Sequence, residues 1–104
     1  MIRANFFKSQ GVLTGFSISG HAGYAESGYD IVCSAVSSAV QLSANLITDG
    51  FHCNADVSAE GDTFVCRTES ADENTAIVLD MLKTHLEFIS EDFPKTIKIT
   101  TSEV

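Results

Sequence analysis

Basic residues are scarce in this chain. Its 104 residues hold six Lys and Arg against 14 Asp and Glu, for a formal net charge of −8. Such a deficit excludes a basic surface able to neutralise nucleic-acid phosphates, so no direct nucleic-acid partner is expected. It suits a protein that draws in a basic partner. Uninterrupted apolar runs are short, and none approaches the roughly 20 residues of a membrane-spanning helix, so no membrane partner is expected either. The N-terminus, Met1-Ile2-Arg3-Ala4-Asn5-Phe6-Phe7-Lys8, lacks the apolar core and small-residue cleavage site of a secretory signal, which makes the cytoplasm the expected location. Cysteine is limited to three residues, an odd number, and predicts reduced thiols rather than a disulfide framework. Repeats, low-complexity tracts and linkers are missing. With 44% apolar residues, positions 1–104 read as one compact domain with a buried core.

Alternation places Ile2, Ala4 and Phe6 on one face of a first strand, and Val12, Phe16 and Ile18 continue the period of two after a tight turn at Ser9-Gln10-Gly11. A glycine-rich connection from Gly20 to Gly28 follows. Asp30 has the form of a helix N-cap, and Gly50 that of the left-handed stop after Asp49. Between them Val32, Val36, Ala39, Val40, Leu46 and Ile47 form an apolar stripe, with Cys33 on its border. Phe51–Ser58 and Asp62–Thr68 read as a hairpin around Glu60-Gly61, a register that sets Val57 against Phe64 and Ala55 against Cys66. Ser70-Ala71-Asp72-Glu73 matches a capping box. The helix after it carries Val78, Leu79, Leu82, Leu86 and Ile89 on one stripe and ends at Pro94. Thr96–Thr101 is a last short strand. The order β-β-α-β-β-α-β predicts an α+β fold, with two helices packed on one face of a mostly antiparallel five-stranded sheet.

The chemistry concentrates between His21 and Cys33, 12 residues apart across Gly20, Gly23 and Gly28. A free cysteine titrates near 8.5 and is mostly an inactive thiol at neutral pH. In the first turn of a helix capped by Asp30 it would meet the positive end of the macrodipole and unpaired N–H groups. An imidazole presented from the end of a strand would activate it further. The loop glycines, with Tyr24 among them, suit a lid that orders over a peptide substrate. The competing reading is a surface loop followed by a buried, inert cysteine.

Gly20-His21-Ala22-Gly23-Tyr24-Ala25, then Gly28, then Asp30-Ile31-Val32-Cys33 and Ala35-Val36-Ser37 resemble the signature of the ribosomal-processing cysteine proteases, the Prp family. Ser34 stands where alanine is more usual. The resemblance implies a cysteine endopeptidase that removes a short N-terminal extension from a bacterial large-subunit ribosomal protein, the twenty-seventh, cutting after paired aromatic residues. It implies Cys33 as nucleophile and His21 as general base and later acid. Backbone N–H groups at the helix start, that of Cys33 included, would bind the oxyanion. Asp30 and Ser37 would play supporting roles. It further implies a homodimer, and a basic ribosomal-protein precursor as substrate fits the acidic balance. The alternative is a non-catalytic ribosome-associated binding module on the same scaffold.

No cofactor is expected. His52, Cys53, Cys66 and His85 form no CxxC pair or HxxxH spacing, and neighbours His52 and Cys53 point to opposite strand faces, which argues against zinc. Cys53 and Cys66 read as core thiols in diagonal register. His85, on the stripe of the second helix, reads as a packed or interface residue. No geometric reason places Asn54 beside His21.

Overall fold

The computed structural model describes the backbone of residues 1–20 and 27–104 and the side chains of 1–20 and 31–104. The elements run β1 (Ile2–Ser9), β2 (Val12–Ser19), α1 (Ser27–Asn45) with a π turn (Leu46–Gly50), β3 (Asp56–Glu60), β4 (Thr63–Arg67), α2 (Glu73–Asp92) and β5 (Ile97–Glu103). They form one five-stranded sheet in the order β3-β4-β2-β1-β5. The β1–β2, β2–β4 and β3–β4 pairs are antiparallel and β1–β5 is parallel, so the sheet is mixed but mostly antiparallel. The α+β architecture and element order agree with the sequence reading.

One sheet face is apolar and lies under both helices. Ile2, Ala4, Phe6, Phe16, Ile18, Cys66 and Ile97 meet Val32, Val36, Val40, Ala44 and Ile47 of the first helix and Leu79, Leu82 and Leu86 of the second. Phe16 is the centre of an aromatic row, 6.3 Å from Phe6 and 6.1 Å from Phe64 between ring centroids. The opposite face is polar. There the Asn5 carboxamide oxygen accepts from the Thr100 and Ser102 hydroxyls at 2.8 and 3.0 Å, and the Arg67 guanidinium lies 4.5 Å over the Phe7 ring.

Local details differ from expectation for identifiable reasons. Phe7 pairs with Gly15 but Lys8 with Leu13, so Thr14 is an extra residue in β2. That bulge buries Leu13 and leaves Val12 exposed, against simple alternation. The β3–β4 loop is Gly61-Asp62, one residue later than expected, which sets Val57 against Cys66 and Ala59 against Phe64. The strand faces survive because the register moves by two. Strand β3 begins only at Asp56, since 51–55 serve to leave the helix. Gly50 is not the left-handed stop. The helix widens into the π turn, Phe51 N–H donates to Leu46 O and Cys53 N–H to Ile47 O, and His52 takes the positive φ of 54°. Leu46 consequently leaves the buried stripe, which Ser43 and Ala44 join. The cap of α2 is Asp72 rather than Ser70. Its carboxylate accepts the Thr75 N–H at 2.7 Å, a bond that also holds its pKa below the usual value.

The segment Ile31–Gly50 has a mean hydropathy of 1.5 and is long and apolar enough, by length and composition, to cross a membrane. Inspection of uninterrupted runs overlooks it, because serines and Asn45 divide the run without adding charge before Asp49. A core helix meets the same criterion, and here Val32, Val36, Val40, Ala44 and Ile47 are buried against the sheet and α2.

Candidate active site

Strand β2 is central in the sheet and ends at Ser19, so whatever follows it emerges beside the first residues of β1 and β5. Gly20 turns the chain there with φ +75°, and a Cβ on it would lie 2.7 Å from the Met1 carbonyl oxygen. Only glycine satisfies both demands. His21, Gly23 and Tyr24 lie outside the described residues, as does the side chain of Asp30.

Helix α1 begins at Ser27, earlier than the sequence reading. Gly28 therefore belongs to its first turn, not to the loop, and Asp30 is its fourth residue, not its N-cap. Cys33 is the seventh residue. A regular helix hydrogen-bonds the N–H at that position to the carbonyl four residues back, here Tyr29. The unpaired donors belong to the first turn, so the Cys33 N–H is no oxyanion donor of the kind expected. Activation by the helix dipole, which fades beyond the first turn, is correspondingly small for its thiol.

The placement of the Cys33 side chain nevertheless favours reaction. It is half-buried and packs on the core edge without being enclosed by it. At 100° per residue, Val32, Val36, Val40 and Ile47 point inward, and Cys33, Ser37, Gln41, Ala44 and Thr48 follow along one flank. Ser37 is exposed one turn beyond Cys33, on the same side. That flank faces the β3–β4 hairpin, while the other flank, with Ala35, Ala39, Leu42 and Leu46, faces α2.

The remaining thiols are chemically different. No disulfide joins any of the three cysteines. Cys66 is buried in β4, and burial, reinforced by the nearby Cys53, pushes its thiol up to about 11. Cys53 is half-buried, donates to the Thr68 hydroxyl at 3.9 Å and lies near Cys66, but it precedes β3 and Cys66 pairs with Val57, so the diagonal register expected of the two thiols does not form. Asn54 is exposed and its carbonyl accepts from Thr68 at 3.0 Å. Among the described residues no three His, Cys, Asp or Glu side chains converge to hold a metal ion. Native alkylation with iodoacetamide at pH 8 should modify Cys33 and leave Cys66 intact, because only about one Cys66 in a thousand would be thiolate even if reached. Peptide mapping reads this directly, and equal labelling of the two would contradict the assignment.

His85 is exposed, not packed. It lies in an apolar groove of about 740 Å³ between the outer surfaces of α1 and α2, together with Leu42, Leu46, Ile77, Met81 and Phe88. Leu42, Met81 and Phe88 are each about 60% exposed, far beyond what a solvated helix pair requires. Attention to one stripe per helix misses this second one, though Ile77, Met81 and Phe88 have helical spacing.

A half-open cysteine on a helix, with a histidine 12 residues before it in the sequence, has the residue types of a thiol nucleophile and its base. Comparison with known proteins narrows the class. The family model of the cysteine protease Prp matches residues 1–98. The ribosomal processing cysteine protease Prp of Bacillus subtilis is 30% identical, with 98% of each chain covered. The essential ribosomal processing protease Prp of Staphylococcus aureus, solved with a covalently linked product peptide, superposes with a TM-score of 0.85 at 25% identity, covering 98% of this chain and 100% of that one. A Streptococcus mutans protein, SMU.848, shares the fold with a TM-score of 0.86 at 23% identity, over 100% and 96% of the two chains. The chain belongs to the Prp family of cysteine proteases.

Proposed function

We propose that this protein is the cytoplasmic endopeptidase that removes the N-terminal extension of a large-subunit ribosomal protein, the twenty-seventh, by cutting after a pair of aromatic residues. The observation that carries the reading is the position of Cys33, half-exposed on the open flank of α1 in a chain of this family. The covalent product peptide on the Staphylococcus aureus relative supports a thioester route.

In that route His21 removes the Cys33 proton, and the thiolate attacks the carbonyl carbon of the scissile bond. The C–N bond breaks as His21 returns the proton to the leaving amine. The N-terminal fragment stays on Cys33 as a thioester, which water hydrolyses with His21 again as base. With Cys33 in the second turn of α1, thiol activation rests chiefly on His21 rather than on the helix dipole. Ser37, one turn on, lies on the side a substrate must approach. Asp30 and Ser37 retain supporting roles, Gly20 aims the chain into His21, and Gly23, Tyr24 and Gly28 border the substrate path. The net charge of −8 would draw in a basic ribosomal protein. Incubation with the extended protein, followed by intact mass, tests the reading. Loss of the extension supports it, and an uncut substrate sinks it.

The same reading makes the enzyme a homodimer, and the exposed groove of Leu42, Met81 and Phe88 is the surface best suited to bury a second copy. Met81→Lys combined with Phe88→Lys should convert dimer to monomer in light scattering at micromolar concentration. A dimer that survives both changes, or a wild-type monomer, would remove this assignment.

A further inference from the structure

We propose that the trough between α1 and the β3–β4 hairpin is the specificity groove of the enzyme, and that its occupant is an extended peptide with an apolar side chain seated in the trough and basic residues beside it. The inference deepens the peptidase reading and rests on it.

The trough has a volume of about 540 Å³. One wall is Gln41, Ala44 and Thr48, and the opposite wall and floor are Ala55, Val57 and Phe64. Its α1 wall continues the flank that carries Cys33 and Ser37. Gln41 lies eight residues beyond Cys33, about 12 Å along the axis, so about four residues of extended peptide span the interval. The floor is continuous with the core, because Phe64 stacks on Phe16 and Val57 pairs with buried Cys66. Val57 is 45% exposed at its rim and presents an apolar surface to the trough.

Two further features select the occupant. Strand β3 pairs with β4 alone among the described strands, and all five of its residues are exposed, so a sheet edge lies beside the trough. An extended peptide has the main-chain donors and acceptors such an edge needs, and can lie along the edge and the trough together. The elements forming the trough carry exposed Asp49, Asp56, Glu60 and Asp62, while the one cation of β4, Arg67, is held over Phe7. The β3–β4 turn also reaches the end of the sheet from which β2 leads into His21, since Phe64 pairs with Ile18 and Gly61 and Asp62 lie beyond it. A peptide rich in basic residues is therefore attracted along the whole path from the nucleophile to the trough.

The test uses Cys33→Ala protein and fluorescein-labelled dodecapeptides with basic flanks and a single central Phe, Leu, Ser or Asp, read by fluorescence anisotropy. The Phe and Leu peptides should bind at least about tenfold more tightly than the Asp peptide. Gln41→Trp, which fills the trough, and Val57→Lys, which charges its rim, should each abolish that preference. Val12→Lys, an equally exposed change on the β1–β2 hairpin, should leave it intact. Melting temperatures close to the parent's separate loss of binding from loss of fold, and the two variants lie on different elements. Absence of any preference, or its survival in both variants, overturns the groove. If the preference is found and lost as described but the enzyme with Cys33 intact cuts no peptide, the groove stands and the peptidase reading falls.

Discussion

Replacing Cys33 by alanine is expected to reduce cleavage of the extended ribosomal protein by at least about 10⁴-fold, equivalent to about 5.5 kcal/mol of transition-state stabilisation. Alanine cannot form the thioester, and nothing described in the structure offers a substitute nucleophile. Cys66 is buried with its thiol held at about 11, and Cys53 lies beyond the π turn beside Thr68. The fold should survive, since Cys33 packs only on the edge of the core. Circular dichroism and melting temperature near those of wild type would establish that. On the proposed mechanism His21→Ala is expected to cost a similar factor, because the imidazole there removes the Cys33 proton. Two groups acting in one step are not additive, so the double variant should be no slower than the slower single. A double variant slower by the product of both factors would mean that the residues act independently, and the pairing would be wrong.

The largest expected effect on stability is that of Phe16→Ala. Phe16 has no exposed surface, sits in the central strand and touches rings on both sides, Phe6 in β1 and Phe64 in β4. Truncation leaves a cavity between the sheet and the helices packed on it, which the surrounding side chains fill only in part, and costs about 3–5 kcal/mol. Against a total of roughly 5–15 kcal/mol for a domain of this size, that is a large fraction. The melting temperature should fall by about 12 °C or more. Because Phe16 also anchors Phe64, the hairpin should loosen first, and hydrogen exchange should rise in β3–β4 before β1–β5. Uniform loss of protection across the sheet would contradict this order.

What the sequence disclosed follows from the range of the interactions involved. Strand faces, helix stripes and element order depend on periods of two and 3.6, which neighbours in the chain determine. Details that depend on a single hydrogen bond or one inserted residue were displaced. The Thr14 bulge exchanged Leu13 for Val12, Asp72 took the cap expected of Ser70, and His52 took the stop expected of Gly50. Asp30 illustrates why this matters for chemistry. An aspartate before an apolar stripe has the form of an N-cap, but the helix reaches back to Ser27, and Cys33 moves from the first turn to the second. The identity of the candidate nucleophile is unaffected by that shift, whereas the activation expected of the helix dipole shrinks. The two grooves were illegible because each is formed by elements distant in sequence. His85 and Met81 show their surface only once α1 lies beside α2, and Val57 and Phe64 theirs only once the hairpin stands opposite Gln41.

The central claim is that Cys33 carries the N-terminal fragment as a thioester. Mixing the enzyme with the extended ribosomal protein, quenching in acid within seconds and recording the intact enzyme mass tests it most directly. The account predicts a transient increase equal to the mass of the released extension less one water, mapping to Cys33 and missing in Cys33→Ala. Cleavage with no adduct at any quench time, or an adduct of that mass on Cys53 or Cys66, would contradict it.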